Sequence, residues 1–317
     1  MSNPSFGSIA VIAGGLSHER DVSLASGRNL VRELRGLGLE VASYDFDRNL
    51  LHNLERDKVV AVLPALHGQF GEDGEIQTLL ELIDVPYVGS TSQTCRLAYD
   101  KSAARELLRR GGIPVPDSVG LSSQTFRDVG AATLMEHVLS RLGERVVVKP
   151  ARGGSALGVT GVDGLAELPS ALVGTYAYYD DALIERFYPG IDVSVVVLEG
   201  PDGPQALTPI AIDFTKGHEF DFSARYTAEF VGLAKPELPQ PLLDELGDVA
   251  VRAHETLGLR DVSRSDFLVA ADGSYVVLEV AITPGTTETS VFPYACAASG
   301  TTLGHVALGL LERAVAR

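Results

Sequence analysis

Residues 263–285, SRSDFLVAADGSYVVLEVAITPG, constrain the fold more tightly than any other stretch of the chain. Two runs rich in β-branched and aromatic residues flank Asp272-Gly273, a dipeptide that favours the two-residue turn of a tight antiparallel hairpin. With that turn Asp266 faces Glu279 and Arg264 faces Ala281, all on one side, because residues two apart along a strand share a face. Like charges set directly opposite each other destabilise a ladder unless a cation lies between them. A divalent ion held by carboxylate oxygens removes the conflict, and Mg²⁺ beside nucleotide phosphates is the usual occupant. The competing reading is a pair of solvent-facing acids on an edge hairpin.

With 317 residues the chain exceeds what one core usually serves, so two or three domains are expected. Hydrophobic residues at 45% and charged residues at 21% fit a globular protein and exclude wholesale disorder. A net charge of -16 argues against nucleic acid or an anionic membrane as partner, so any phosphate must be held by local cations. Cys95 and Cys296 form no metal-ligand spacing and read as reduced thiols. The start, MSNPSFGSIAVIAGG, lacks a basic leader region, and no run of about 18 apolar residues occurs. A cytoplasmic location is expected.

SIAVIA at residues 8–13 reads as a buried strand ended by Gly14-Gly15, with a helix starting near Val22. With strands VASYDF and VVAVLPAL and the helical SLASGRNLVRELRGLG, it predicts a parallel α/β unit through about residue 95. Leu97 to Arg110 reads as one helix, broken by Gly111-Gly112-Ile-Pro-Val-Pro. A second unit holds the helix AATLMEHVLSRLG, the strand ERVVVKP, a glycine-rich turn and the strand ALIERF, and ends at Pro189-Gly190. Strands VSVVVLEG and ALTPIAI, a polar stretch, the helix LLDELGDVAVRAHETLG, the acidic hairpin and a helix from about Thr302 complete the chain. The expected domains are residues 1–95, 96–187 and 188–317.

Several segments carry chemistry. VVVKPARGGSALGV places Lys149 at a strand end, ahead of Gly153, Gly154 and Gly158 around Ser155. Glycines allow close backbone approach and amides can cradle phosphate, but a Walker loop needs its lysine after the glycines. A hairpin closing over a nucleotide fits better, with a plain flexible turn as the alternative. Lys101 opens a helix, where a solvated charge is the commoner outcome. In LIERFYPGIDV, Glu185, Phe187, Tyr188 and Asp192 suit adenine and ribose, although a strand running into a turn looks the same. LHGQFGEDGEIQ sets His67 among glycines and acids without the spacing of an EF-hand, and a tight surface loop is the competing reading. Glu19, in GGLSHERDVSLASG, lies beyond a strand end where α/β folds bind ligands, or serves only as first-turn helix charge. The absence of GxGxxG there counts against a dinucleotide-binding dehydrogenase.

Together with DK at 100–101, ARY at 224–226, RSDF and LEVAITPGTTETS, these segments follow one order over almost the whole chain. In that order the chain resembles the D-alanine:D-alanine ligases of the ATP-grasp superfamily. The resemblance implies a mixed α/β ATP-grasp fold behind an N-terminal Rossmann-like domain. It further implies ATP, Mg²⁺ with Mn²⁺ as the alternative ion, small-molecule D-amino acids as substrates, a homodimer, and a place in peptidoglycan precursor synthesis. By matching motifs, Lys101 and Lys149 fall to the ATP phosphates, Ser155 and its neighbouring amides to the glycine-rich loop that closes over the nucleotide, and Glu185, Phe187, Tyr188 and Asp192 to adenine and ribose. Glu19 falls to the ammonium of the first D-amino acid with His67 nearby, Gly285 and Ser290 to the carboxylate of the second, and Asp266 and Glu279 to metal.

The implied reaction forms an acyl phosphate from the first substrate, which the amine of the second then attacks. Arg264 and the Gly285 amide would steady the oxyanion. Ser155, Tyr226 and Glu19 match the hydrogen-bonded trio of dipeptide-forming members. Four positions depart from the pattern. Ala281 replaces an asparagine that supplies a metal oxygen, Arg225 replaces a lysine, Asp192 replaces a ribose-binding glutamate, and Gly153 replaces a glutamate. Ala281 keeps open two other readings: a specialised paralogue joining a different amino acid or amine, and a nucleotide-binding member with little ligase activity.

Overall fold

The first apolar runs form a parallel sheet in the order β2–β1–β3, from β1 (Ile9–Ala13), β2 (Val41–Asp45) and β3 (Ala61–Pro64), in a computed structural model that describes residues 7–129, 131–214 and 231–317. Alternate residues of the central strand serve separate cores, as a strand covered on both faces requires. Ile9, Val11 and Ala13 pack with Leu30 and Leu34 of the helix Arg20–Gly36 and with Leu310 and Leu311 of the helix Leu303–Ala316. Ala10 and Ile12 pack with Leu50 and Leu54 on one helix and Leu80 on another. The end of the chain thus fills the core of its beginning.

A second, antiparallel sheet has the order β4–β7–β5–β6, from β4 (Ser118–Ser122), β5 (Arg145–Pro150), β6 (Thr160–Asp163) and β7 (Asp181–Arg186). The helices Ala131–Leu142 and Leu168–Tyr176 cover one face. The third sheet holds β8 (Ile191–Gly200), β9 (Gly203–Ala206), β10 (Ile210–Phe214), β11 (Val231–Ala234), β12 (Val262–Val269) and β13 (Tyr275–Ala281) in the order β11–β10–β8–β12–β13, with β9 on β8. The helix Gln240–Thr256 packs against it through Leu246, Val249 and Ala250. This is the α/β fold expected.

The acidic hairpin keeps the expected opposition, Arg264 to Ala281 and Asp266 to Glu279, but reaches it by another route. The turn is not the two-residue one. Ala270 N donates to Ser274 O at 2.8 Å and Gly273 N to Ala270 O at 3.0 Å, so residues 271–273 form the loop, with Gly273 in the left-handed region at φ 84°. Near the loop Phe267 therefore pairs with Val277 and Leu268 with Val276. A bulge at Leu278, which takes no ladder partner, restores the register before Glu279.

Three other expectations change. The helix from Leu97 to Arg110 is two helices, Ser92–Tyr99 and Lys101–Arg110, broken at Asp100 with ψ 102°. Asp100 Oδ1 accepts from the amides of Ser102 and Ala103, so its side chain starts the second helix where apolar periodicity alone carries on. ALTPIAI divides between β9 and β10, because Leu207 N turns to Val196 O and Thr208 N to Ser299 Oγ. The helix Val291–Ala298, which the sequence did not announce, follows Ser290. Both cysteines are free and buried, and burial pushes each thiol up to about 12. Among the described residues no helix is long and apolar enough to cross a membrane.

Replacing Asp100 with alanine removes a helix cap and is expected to lower unfolding stability by about 1 kcal/mol. Urea titration reads this directly, and an unchanged midpoint would show that the break at Asp100 has another origin.

Candidate functional site

Strand ends and loops from all three sheets meet around two adjoining cavities. One is lined by Glu19, His67, Arg264, Ala281, Gly285 and Ser290. The other is lined by Lys149, Glu185, Phe187, Tyr188, Asp192 and Asp266. Lys101, Gly153, Gly154, Leu278 and Glu279 border both. Arg225 and Tyr226 lie outside the described residues.

Glu19 precedes the helix Arg20–Gly36 and is 5% exposed. The glycine-rich loop between β5 and β6 reaches it from 136 residues away, and Ser155 Oγ donates to its Oε1. Ser155 and Ala156 take positive φ angles of 55° and 57°, so the loop turns back by a backbone path that L residues rarely adopt. Gly68, at φ 68°, packs so closely on Glu19 that a β-carbon would collide with its carboxylate. Burial raises the Glu19 pKa, and the charge of Glu72 adds to the rise, while the Ser155 hydrogen bond, His67 and Lys101 oppose it. His67 is buried, with Nε2 2.9 Å from Ser26 Oγ and Nδ1 3.9 Å from Glu72 Oε1. A buried carboxylate in these surroundings is a receptor for a cation such as an ammonium group.

Lys101 is not the solvated charge its position suggested. It stands at the first turn of its helix, donates from Nζ to Gly153 O, and lies 4.0 Å from Glu279 Oε2. Lys149 follows from strand pairing. Val147 faces Glu185 across β5 and β7, so Lys149, two residues on, is a diagonal neighbour of Glu185 on the same face. Its Nζ lies 2.6 Å from Glu185 Oε1. Burial pushes the Lys149 pKa down, and the negative Glu185 opposes that shift. Phe187 stacks under the Arg145 guanidinium at 3.8 Å, and Tyr188 OH lies 2.7 Å from Ser274 Oγ. Asp192 sits on β8 beside Leu268 of β12 and lines the same cavity.

Asp266 is buried and accepts from Arg264 at both oxygens, each at 2.7 Å, and from Ser194 Oγ at 2.6 Å. Arg264 also lies 3.9 Å from Glu279 Oε1. The opposed carboxylates are therefore not bland surface acids: cationic side chains reach both. Two carboxylates facing a cavity suit Mg²⁺, which is commonly held by one or two carboxylates together with substrate phosphates. Ala281 adds no oxygen, so the donor set fits one such ion.

Ser290 begins the helix Val291–Ala298, accepts from Thr287 N at 3.1 Å, and stands so close to Gly285 that a β-carbon there would lie 2.9 Å from its Oγ. Sequence reasoning passed over Glu72, Ser194, Thr287 and Arg105. Glu72 and Thr287 lie within the LHGQFGEDGEIQ and LEVAITPGTTETS segments, and Arg105 lies four residues beyond Lys101 and so on the same helix face.

Family models described as D-ala D-ala ligase N-terminus and D-ala D-ala ligase C-terminus match residues 48–90 and 107–312. A D-alanine–D-alanine ligase of Syntrophotalea carbinolica is 39% identical over 309 residues, covering 97% of this chain and 95% of its own. One from Carboxydothermus hydrogenoformans is 36% identical over 297 residues, covering 92% and 93%. Among solved structures, the Bacillus anthracis D-alanine–D-alanine ligase complexed with ATP is 27% identical with a TM-score of 0.80, covering 98% of this chain and 97% of that one. The VanG D-Ala:D-Ser ligase of Enterococcus faecalis is 25% identical with a TM-score of 0.82, covering 98% and 100%.

With its pKa raised on folding, Glu19 holds a proton more tightly in the folded chain than in the unfolded one. Stability therefore falls as pH rises from the unfolded value through the folded one, and the ionised carboxylate remains a cost above that window. Glu19→Gln is expected to melt above the parent at about pH 7, with the gap shrinking near pH 4. Differential scanning calorimetry at both values checks it; a lower melting temperature at neutral pH would refute this view of Glu19.

Proposed function

We propose a reaction for this chain from one premise: it belongs to the D-alanine–D-alanine ligase family. It is an ATP-dependent ligase, and the reading supported best is the joining of two D-amino acids, most simply D-alanine with D-alanine. The observation that carries this reading is Glu19, buried beneath Ser155 at the head of one cavity while Lys101 and Glu279 open onto the other.

In this reading ATP lies in the second cavity. Phe187, Tyr188 and Asp192 flank the nucleoside with Glu185, and Lys101 and Lys149 face the phosphates. Asp266 and Glu279 would hold Mg²⁺, which would supply charge neutralisation at the phosphates. Glu19 receives the ammonium of the first D-amino acid, with His67 and Glu72 behind it. The carboxylate of that substrate attacks the γ-phosphate, ADP leaves, and an acyl phosphate forms. The carboxylate of the second D-amino acid binds at Gly285 and Ser290, which stand side by side at the cavity wall. Its neutral amine attacks the acyl carbon, the carbon–oxygen bond to phosphate breaks, and the departing phosphate carries away the proton that the amine loses. Arg264 and the Gly285 amide steady the oxyanion, and no covalent bond to the protein is needed. Tyr226 is carried over as the third member of the hydrogen-bonded trio with Ser155 and Glu19, and Arg225 as the cation before it; both lie outside the described residues.

We take residues 1–95, 96–187 and 188–317 as three domains, one sheet falling in each span. A cytoplasmic homodimer that serves peptidoglycan precursor synthesis is the accompanying proposal. Light scattering tests the dimer.

ATP, Mg²⁺ and D-alanine should yield ADP and D-alanyl-D-alanine at a rate of order 1 to 1000 per second. Coupled ADP release with mass spectrometry of the product tests it. If no pair of D-amino acids turns over, the ligase reading fails. If a pair other than D-alanine is strongly preferred, the specialised-paralogue reading replaces it.

Ala281 gives a second test, because a methyl group donates no metal oxygen. Ala281→Asn is expected to lower the half-saturating Mg²⁺ concentration for MgADP binding about tenfold. An unchanged Mg²⁺ dependence would mean that the position is already filled.

A further inference from the structure

The geometry points to Arg105 as a positioning residue of the phosphoryl-transfer site, one that fixes the nucleotide carboxylate and the metal carboxylate from behind at the same time. The inference rests on the ligase reading above. Arg105 is 3% exposed, one turn beyond Lys101 in the helix Lys101–Arg110. Its NH2 donates to Glu185 Oε1 at 2.5 Å and to Leu278 O at 3.0 Å, and its NH1 to Pro116 O at 3.2 Å. One guanidinium thus joins a helix, a proline-rich connection, β7 and β13.

Two of these bonds concern the site directly. Leu278 is the bulged residue of β13, between Val277, which pairs with Phe267, and Glu279, which pairs with Asp266. An extra residue in a ladder leaves its carbonyl to find a donor elsewhere, and Arg105 provides it. Without that bulge the register set by the loop at residues 271–273 would run on, and a slip of one residue turns a side chain to the opposite face. Arg105 therefore secures the bulge that brings Glu279 to Asp266.

The second bond concerns Glu185. Its Oε1 is shared between Arg105 and the Lys149 ammonium, which lies 2.6 Å away. Two buried cations thus share one carboxylate at the wall of a cavity that Asp266 and Glu279 also line. When phosphate oxygens draw on Lys149, Arg105 keeps Glu185 compensated and in place. A lysine cannot repeat this, because its single ammonium lacks the planar fork whose one arm, NH2, serves Glu185 and Leu278 O while the other, NH1, is anchored on Pro116 O.

The test compares Arg105→Lys and Arg105→Met with the parent by calorimetric titration of MgADP, Mg²⁺ dependence, the KM for D-alanine and thermal melting. Arg105→Lys keeps the buried positive charge and so keeps the experiment informative if the methionine variant fails to fold. It is expected to fold, to weaken MgADP binding and raise the half-saturating Mg²⁺ concentration about tenfold each, and to leave the KM for D-alanine within about twofold. Arg105→Met, if folded, should be affected more. A folded Arg105→Lys protein with unchanged MgADP and Mg²⁺ binding overturns the inference. So does a uniform loss in every parameter that simply tracks the melting temperature, which is the behaviour of a structural residue. Failure of the parent itself to bind MgADP would strike the ligase reading instead, and this inference with it.

Discussion

Two carboxylates that face each other across adjacent strands require positive charge close by, and the surroundings of Asp266 and Glu279 are built to that requirement. Arg264 meets Asp266 at both oxygens and stands opposite Ala281, while Lys101 approaches Glu279 from a different element. A bulge, a helix break and a buried arginine set these positions. Each is a local irregularity that would weaken an ordinary sheet or helix, and each lies beside the site.

Electrostatics here are local rather than global. The chain carries a net charge of -16, yet Lys101, Arg105, Lys149 and Arg264 converge on the same pair of cavities. Four cations interleaved with Glu19, Glu185, Asp266 and Glu279 form a cluster whose members depend on one another for compensation. Lys149 shows the balance: burial pushes its pKa down, and Glu185 resists. Such an arrangement suits a polyanion together with a cation, since each supplies charge that the other needs.

Much of the fold was legible because its elements obey short-range rules. Apolar runs bounded by glycine and proline located most strands, and period-two alternation put Asp266 opposite Glu279. That opposition came out correctly although the turn was misread, since the longer loop and the bulge offset each other by one residue. The break at Asp100 was missed because apolar periodicity continues across it, and only side-chain capping separates the two helices. Arg105 was missed because, beside Arg109 and Arg110, it looks like one more surface arginine. Its role depends on what packs over that face.

By itself the sequence determined the chemical groups, their order along the chain and the pairing of carboxylates within one hairpin. These follow from strand and helix periods that act over a few residues. The tertiary structure decided that Ser155 closes on Glu19, that Lys149 and Arg105 share Glu185, and that Lys101 reaches Glu279. Those contacts join segments held together by the packing of three sheets and by the closing helix in the first core. No local period encodes them, because they depend on which faces of distant elements bury one another.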